Sequence, residues 1–425
     1  MDKNIIKSAL TFFSSSVVVQ FINFMSQVLL MKYLSVKDFG LYSLSFEGLA
    51  MCNMVISSAF RNFYMREINK GINADDLLSY QLIYGSLWCI ISTVIVGLVF
   101  SLSPIIITAM SISMVISSVI LPVWVELLVS GRKKKIIIRD VTYAICTIVS
   151  IAFACLLDKI KVQGLIIVIL TINAVIAIVF FMDKKKVKKL FEFDNIKNIE
   201  ASITPFFLVF IVNTVYNKIG VTFINQFAGV VFVAKYLATF KFITPLFFIQ
   251  TALISSVLPK FKSDNNFKFD MRYFSFFAMP GLVISILLPF ILPIVIDMLG
   301  LHNYDQIPHF LTFGSSIIFI AFIYGSLANY ISIKGGQKLI IKTNVVGVLV
   351  YVALLSLVYL FCDKSHYIEL CLSLFVITES FICMRYYSEV KKTNKINIVF
   401  LIAPLLTICL ELFFILHFLY IGGGK

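Results

Sequence analysis

Charge is scarce in this sequence: 14% of its 425 residues are Asp, Glu, Lys or Arg, whereas 60% are hydrophobic. An ordinary soluble domain carries about 25% charged residues, so a water-soluble globular protein is excluded. Long polar segments are lacking as well. The longest runs from about Asp183 to Ile203, and no other loop leaves room for a soluble catalytic domain; an enzyme is not expected. The eight cysteines contain no C-x-x-C and sit mostly in apolar runs, where they read as small buried residues, not as disulfides or ligands. Histidine is limited to His302, His309, His366 and His417, at spacings that specify no metal, and no cofactor is implied. The phosphate-binding pattern G-x-x-x-x-G-K-[ST] is absent, which removes the usual route to nucleotide-driven work.

What is abundant is hydrocarbon. Mean hydropathy is +0.97, and a helix of roughly 20 apolar residues crosses a bilayer core of about 30 Å. Such runs occur at about 10–33, 39–60, 78–100, 105–129, 138–157, 163–182, 204–226, 229–257, 273–297, 308–330, 341–361, 366–388 and 398–421. The fold class is therefore all-α: a polytopic membrane protein of about twelve transmembrane helices, with a thirteenth long run at the end. The first run is too long for a removable signal peptide, and no small-residue cleavage site follows it.

Basic residues set the orientation, because cytoplasmic loops collect lysine and arginine. With the N-terminus inside, the inner segments hold 26 of the 36 basic residues, among them GRKKKIIIR from Gly131 to Arg139 and MDKKKVKKL from Met182 to Leu190. The outer segments hold Lys32, Lys37, Lys159, Lys161, Lys364 and Lys425. The net charge of +14 thus describes topology. Its partners are anionic lipid headgroups, not nucleic acid.

Six spans precede the basic segment and at least six follow it. This predicts an N-terminal lobe over 1–182, a cytoplasmic linker over 183–203, a second six-helix lobe over 204–388, and a loop plus extra helix over 389–425. An even number of spans per half makes both halves enter the membrane in the same direction, which implies a pseudo-twofold axis along the membrane normal and a central cleft. A shift of about 194 residues sets Tyr42 on Tyr236, Phe46 on Phe240, Asn23 on Asn217 and Glu47 on Lys241.

Polar residues inside spans mark helix faces. Ser16, Gln20, Asn23 and Gln27 share one face of the first span, and Ser43, Glu47, Ser58 and Arg61 one face of the second. In the seventh, Asn213 and Asn217 lie a turn apart, as do Thr214 and Lys218; Ser118, Pro122 and Glu126 line up in the fourth. Uncharged members of such stripes serve equally well as glue between helices. Charges ask for more, since a lysine or aspartate at mid-membrane costs roughly 2.5–3.5 kcal/mol on insertion scales and normally faces a wet cavity or a partner. Arg61, Glu126 and Arg385 are near enough to span ends to snorkel. Lys218, Lys241 and Glu47 are not, and they predict an anion-accepting cleft or a structural ion-pair network.

The stretch LMKYLSVKDFGLYSLSF, Leu30 to Phe46, resembles the xxYLGxxDFGxYSLA element of bacterial polysaccharide flippases of the Wzx type, within the multidrug/oligosaccharidyl-lipid/polysaccharide exporter superfamily. Arg61, closing the second span, and the run from Ala234 to Pro245 fit the same pattern. The sequence departs from it at Ser35, where a glycine is usual, and in its additional C-terminal run. The resemblance implies transport of undecaprenyl-diphosphate-linked oligosaccharide, such as O-antigen repeat units, across the bacterial inner membrane from the inner to the outer leaflet. It further implies neighbouring polysaccharide polymerase and chain-length regulator proteins. On this reading Lys218, Lys241, Arg61, Lys235 and Arg385 form a cationic cleft for the diphosphate. Gln20, Asn23, Gln27, Asn213 and Asn217 contact sugar, and Glu47, Glu379 or Glu126 couples a cation. Outward movement of negative charge also gains roughly 2.3 kcal/mol per charge per 100 mV of membrane potential. A cation-coupled multidrug antiporter, favoured by the acids and disfavoured by the deep lysines, and a peptidoglycan-precursor flippase are the alternatives.

Overall fold

The computed structural model describes residues 3–69, 77–130, 132, 134–157, 161–181, 204–251, 253–254, 271–333, 336–393 and 399–422. Helices make up its regular structure, and no strand occurs among these residues. The linker 183–203, and the basic residues Lys260, Lys262, Lys268 and Lys334, lie outside them. A helix occupies each of the thirteen apolar runs. Eight helices among the described residues are long and apolar enough to span a membrane, or ten if each of two bent pairs counts as one span, a number compatible with twelve or thirteen crossings.

The chain divides into two compact units, Met1–Thr214 and Val215–Lys425. The first contains α1 (Lys3–Tyr33), α2 (Val36–Asn69), α3 (Leu78–Val99), α4 (Pro104–Val119), α5 (Leu121–Val129), α6 (Lys134–Leu157) and α7 (Val162–Phe181). Helix α1 packs on α6, α3 on α4, α4 on α7, and α5 on α2. Their shared core holds Leu78, Val119, Ile120, Val123, Ile136 and Phe181. Residues Gln81–Gly85 of α3 wind as a π-helix, the kind of bulge that re-aims side chains. There the buried Tyr64 hydroxyl donates to Gln81 Oε1. Helix α8 (Thr204–Phe227) belongs to both units: Phe207 packs on Phe60 and Trp88, with ring centroids 5.4 and 5.1 Å apart, while Tyr216 packs on Tyr351 and Phe375.

The second unit continues with α9 (Val230–Thr251), α10 (Met271–Leu299), α11 (Ile307–Gly314), α12 (Ser316–Ile333), α13 (Gln337–Phe361), α14 (Tyr367–Thr393) and α15 (Val399–Gly422). Helix α14 is its axis, touching α11, α12, α13 and α15. Packed between α11, α12, α13 and α15, most of α14 is buried, more fully than α7, the sixth span of the first unit. The extra C-terminal run is therefore a helix docked on the core of the second unit.

Candidate functional site

The polar residues that matter are placed by helix breaks. In the first unit α1 ends at Tyr33 and α2 begins at Val36. Ser35 fills the gap: its Oγ accepts from the Asp38 backbone N–H at 3.1 Å and donates to the Asp38 carboxylate at 2.7 Å. Capping of that kind stabilises a helix start by about 1 kcal/mol. The corresponding break in the second unit is Gly229, at φ 92°, a left-handed conformation that glycine adopts without steric cost. Beyond each break comes the same aromatic pair. Tyr42 and Phe46 have ring centroids 4.6 Å apart, and Tyr236 and Phe240 5.0 Å apart.

In the first unit Gln20 is exposed on α1, and Asn23 and Gln27 are half-buried. Glu47 and Arg61 are half-buried on α2. Glu126, on α5, pairs with Arg132 at 2.8 Å, and both side chains keep substantial exposure; this is the geometry of an anchor at the membrane interface. A network that the stripes did not identify lies between α4, α6 and α7. Arg139 Nη2 donates to Asn173 Oδ1 at 3.0 Å, and Asn173 Nδ2 donates to Ser117 Oγ at 3.0 Å. Ser113 Oγ in turn donates to the Leu170 carbonyl at 3.1 Å. The i, i+4 spacing of Ser113 and Ser117 was the available signal. Arg139 was masked by its place in a basic run.

In the second unit Lys218 and Lys241 are half-buried, on α8 and α9. Asn213 is half-buried and Asn217 exposed on α8. Lys235, near the start of α9, donates from Nζ to Gln306 Oε1 at 2.7 Å, so its charge is held beside the loop that precedes α11. Arg385 is exposed near the end of α14. The two helices carrying the deep lysines meet at Gly220. A Cβ there would stand 2.7 Å from the Tyr236 hydroxyl and 2.9 Å from that of Tyr351, too close for any other residue without a shift. Glu379 is the buried member of the candidate coupling acids, at 8% exposure. It lies within electrostatic reach of Tyr216, Tyr324 and Tyr386. Tyr386 donates to Asn344 Oδ1 at 3.0 Å and stacks on Tyr324. Glu379 Oε2 and Tyr216 Oη have no hydrogen-bond partner among the described residues. No cluster of His, Cys, Asp and Glu suited to a metal ion occurs among them either.

No protein-family model and no curated protein matches the chain. Solved structures do. The lipid II flippase MurJ in an inward closed conformation superimposes with a TM-score of 0.67 at 10% identity, covering 96% of this chain and 93% of that one. A MATE in complex with MaL6 gives 0.60 at 13% identity over 91% and 96% of the two chains. The inward-facing conformation of a multidrug resistance MATE family transporter of the MOP superfamily gives 0.59 at 11% identity, over 89% and 99%. At these identities the likeness is one of fold. The chain is an all-helical, multi-pass membrane protein with the architecture of the transporters and flippases of that superfamily.

Proposed function

We propose that this protein is a flippase for diphosphate-linked lipid oligosaccharides of the undecaprenyl type. On this reading it lies in the bacterial inner membrane with its N-terminus inside and works by alternating access between its two units. One observation carries the reading. In a transporter fold, two lysines, Lys218 and Lys241, stand half-buried on adjoining helices of apolar composition. Positive charge partly withdrawn from water attracts an anion more strongly than the same charge in solution, and a diphosphate is the anionic part of such a lipid. Arg61 and Arg385 would receive the headgroup near the ends of α2 and α14, and Asn213 and Asn217 would hydrogen-bond its sugars. The polyprenyl chain would stay in lipid.

A second reading has an observation of its own. Glu379 is buried among tyrosines, an arrangement suited to binding a cation in a cation-coupled multidrug antiporter. The two readings separate in proteoliposomes offered either a lipid diphosphate oligosaccharide or a cationic dye. Flippase function predicts protein-dependent movement of the lipid, lost in Lys218→Ala and Lys241→Ala and partly kept in the arginine variants. Dye transport that persists in those alanine variants, with no lipid movement, rejects it.

A further inference from the structure

The helix beyond the twelfth span carries a carboxyl into the core of the second unit. Glu411, midway along α15, is 0% exposed. Its Oε1 accepts a hydrogen bond from Ser316 Oγ, the first residue of α12 beyond the bend. Its Oε2 makes no well-formed hydrogen bond among the described residues. Ser373 of α14 lies within hydrogen-bond reach of the same carboxyl, with a buried Oγ that makes no well-formed hydrogen bond. One turn back on α14, on the same face, is Glu369. Its Oε1 is 3.5 Å from His309 Nε2, its Oε2 is buried and unpartnered, and the His309 side chain is 54% exposed. Three buried oxygens without a well-formed hydrogen bond therefore lie, on two packed helices, between an exposed imidazole and a sealed carboxyl.

The other titratable groups around Glu411 do not offer a counter-charge. Cys371 of α14 is buried next to Glu369. Tyr324 and Tyr330 of α12 lie about two turns or more from Ser316, and Cys409 on α15 is exposed. An uncompensated carboxylate in such a place costs several kcal/mol, whereas a neutral carboxylic acid donates a hydrogen bond instead of lacking one. His309, Glu369 and Glu411 do not close on a common point as metal ligands would. We propose that His309, Glu369, Ser373 and Glu411 form a proton-binding site, loaded from the His309 end, whose bound proton on Glu411 fastens α15 to α12 and α14. A hydronium ion gives its proton to His309 Nε2, leaving water. The imidazolium passes that proton to Glu369, whose carboxyl turns and passes it to Ser373 Oγ. The serine releases its own hydroxyl proton to Glu411 Oε2, so one proton moves and every donor returns to its starting form. This site uses neither Lys218 and Lys241 nor Glu379, and does not depend on the transported substrate.

Infrared difference spectra of the full-length protein in liposomes test it. Wild type minus Glu411→Gln should show a protonated-carboxyl C=O band at neutral pH, which Ser316→Ala shifts by removing the hydrogen bond to Oε1. Loss of carboxylate stretches in place of that band would mean that Glu411 is ionised, and would overturn the assignment. After a jump from alkaline to neutral pH outside the liposomes, the Glu411 band should grow about tenfold more slowly in His309→Ala and Ser373→Ala, with the same final amplitude. Unchanged rates in both would overturn the path. His309 is exposed, so its replacement leaves the fold intact, and where Glu411→Gln is poorly produced the Ser316→Ala shift assigns the band that the second measurement follows.

Discussion

The fourth span of each unit is bent, by 40° between α4 and α5 and by 49° between α11 and α12, and the two bends have different causes. In the first unit Pro122 stands just beyond the bend; it has no N–H to offer the carbonyl four residues back, and its ring crowds that turn. In the second the bend falls at Gly314 and Ser315, a pair that bends helices without proline. The bends also differ in position, late in the first span and early in the second. The helix breaks differ in the same way, a serine cap at Ser35 against a left-handed glycine at Gly229. Each unit keeps the order of its elements while replacing the residues that make them. Substitution of that kind explains why the internal repeat is so weak in sequence. The charges show where the units have diverged in role: among the described residues, the half-buried lysines and the most deeply buried acids belong to the second unit.

The largest expected effect tests that asymmetry. Lys218→Ala and Lys241→Ala should each lower transport about tenfold or more, a loss of about 1.4 kcal/mol, while Glu47→Gln, at the repeat mate of Lys241, should cost less. Initial transport rates at matched protein level measure this, and equal losses at all three positions would erase the distinction between units.

Spans were legible in the sequence because hydropathy over a window of 20 residues averages out local detail. Within the described residues each of the thirteen apolar runs contains helix, as do the Tyr42–Phe46 and Tyr236–Phe240 pairs. The bend at Gly314 was not legible, since Gly and Ser are ordinary in membrane helices and only packing decides whether the chain yields there. The Glu369–Ser373–Glu411 group was not assembled, because its members lie on two helices whose contact no periodicity predicts. Lys235 read as part of the cationic cleft from its place on the eighth span; its bond to Gln306 depends on a loop 71 residues away.

Gly220→Ala ranks next. The added Cβ meets the Tyr236 and Tyr351 hydroxyls, and overpacking of that kind costs about 1–3 kcal/mol. Ser26→Ala, at the repeat mate, loses only a local bond to the Ile22 carbonyl and should stay within about 0.5 kcal/mol. Thermal unfolding in detergent compares them, and equal shifts would mean that the two units close their helix pairs in the same way. A smaller contrast concerns the breaks. Gly229→Ala should cost about 1–2 kcal/mol for its left-handed backbone, Ser35→Ala about 1 kcal/mol for the lost cap, and Ser35→Gly only a few tenths. A Gly229→Ala protein as stable as wild type would remove the difference between the breaks. The smallest effect belongs to Glu126→Gln, an exposed ion pair worth about 0–1 kcal/mol, which should leave transport nearly unchanged. A collapse of transport there would move the coupling acid from the second unit to the first.

The most direct test of the central claim is the rate at which the purified protein in liposomes carries a polyprenyl-diphosphate oligosaccharide across the bilayer, with the outward-positive potential set by a potassium gradient. An anion-accepting cleft that holds its charge on Lys218 and Lys241 predicts transport accelerated by the potential, kept in part by Lys218→Arg and Lys241→Arg, and lost in both alanine variants. Full transport by both alanine variants at normal protein level would contradict it.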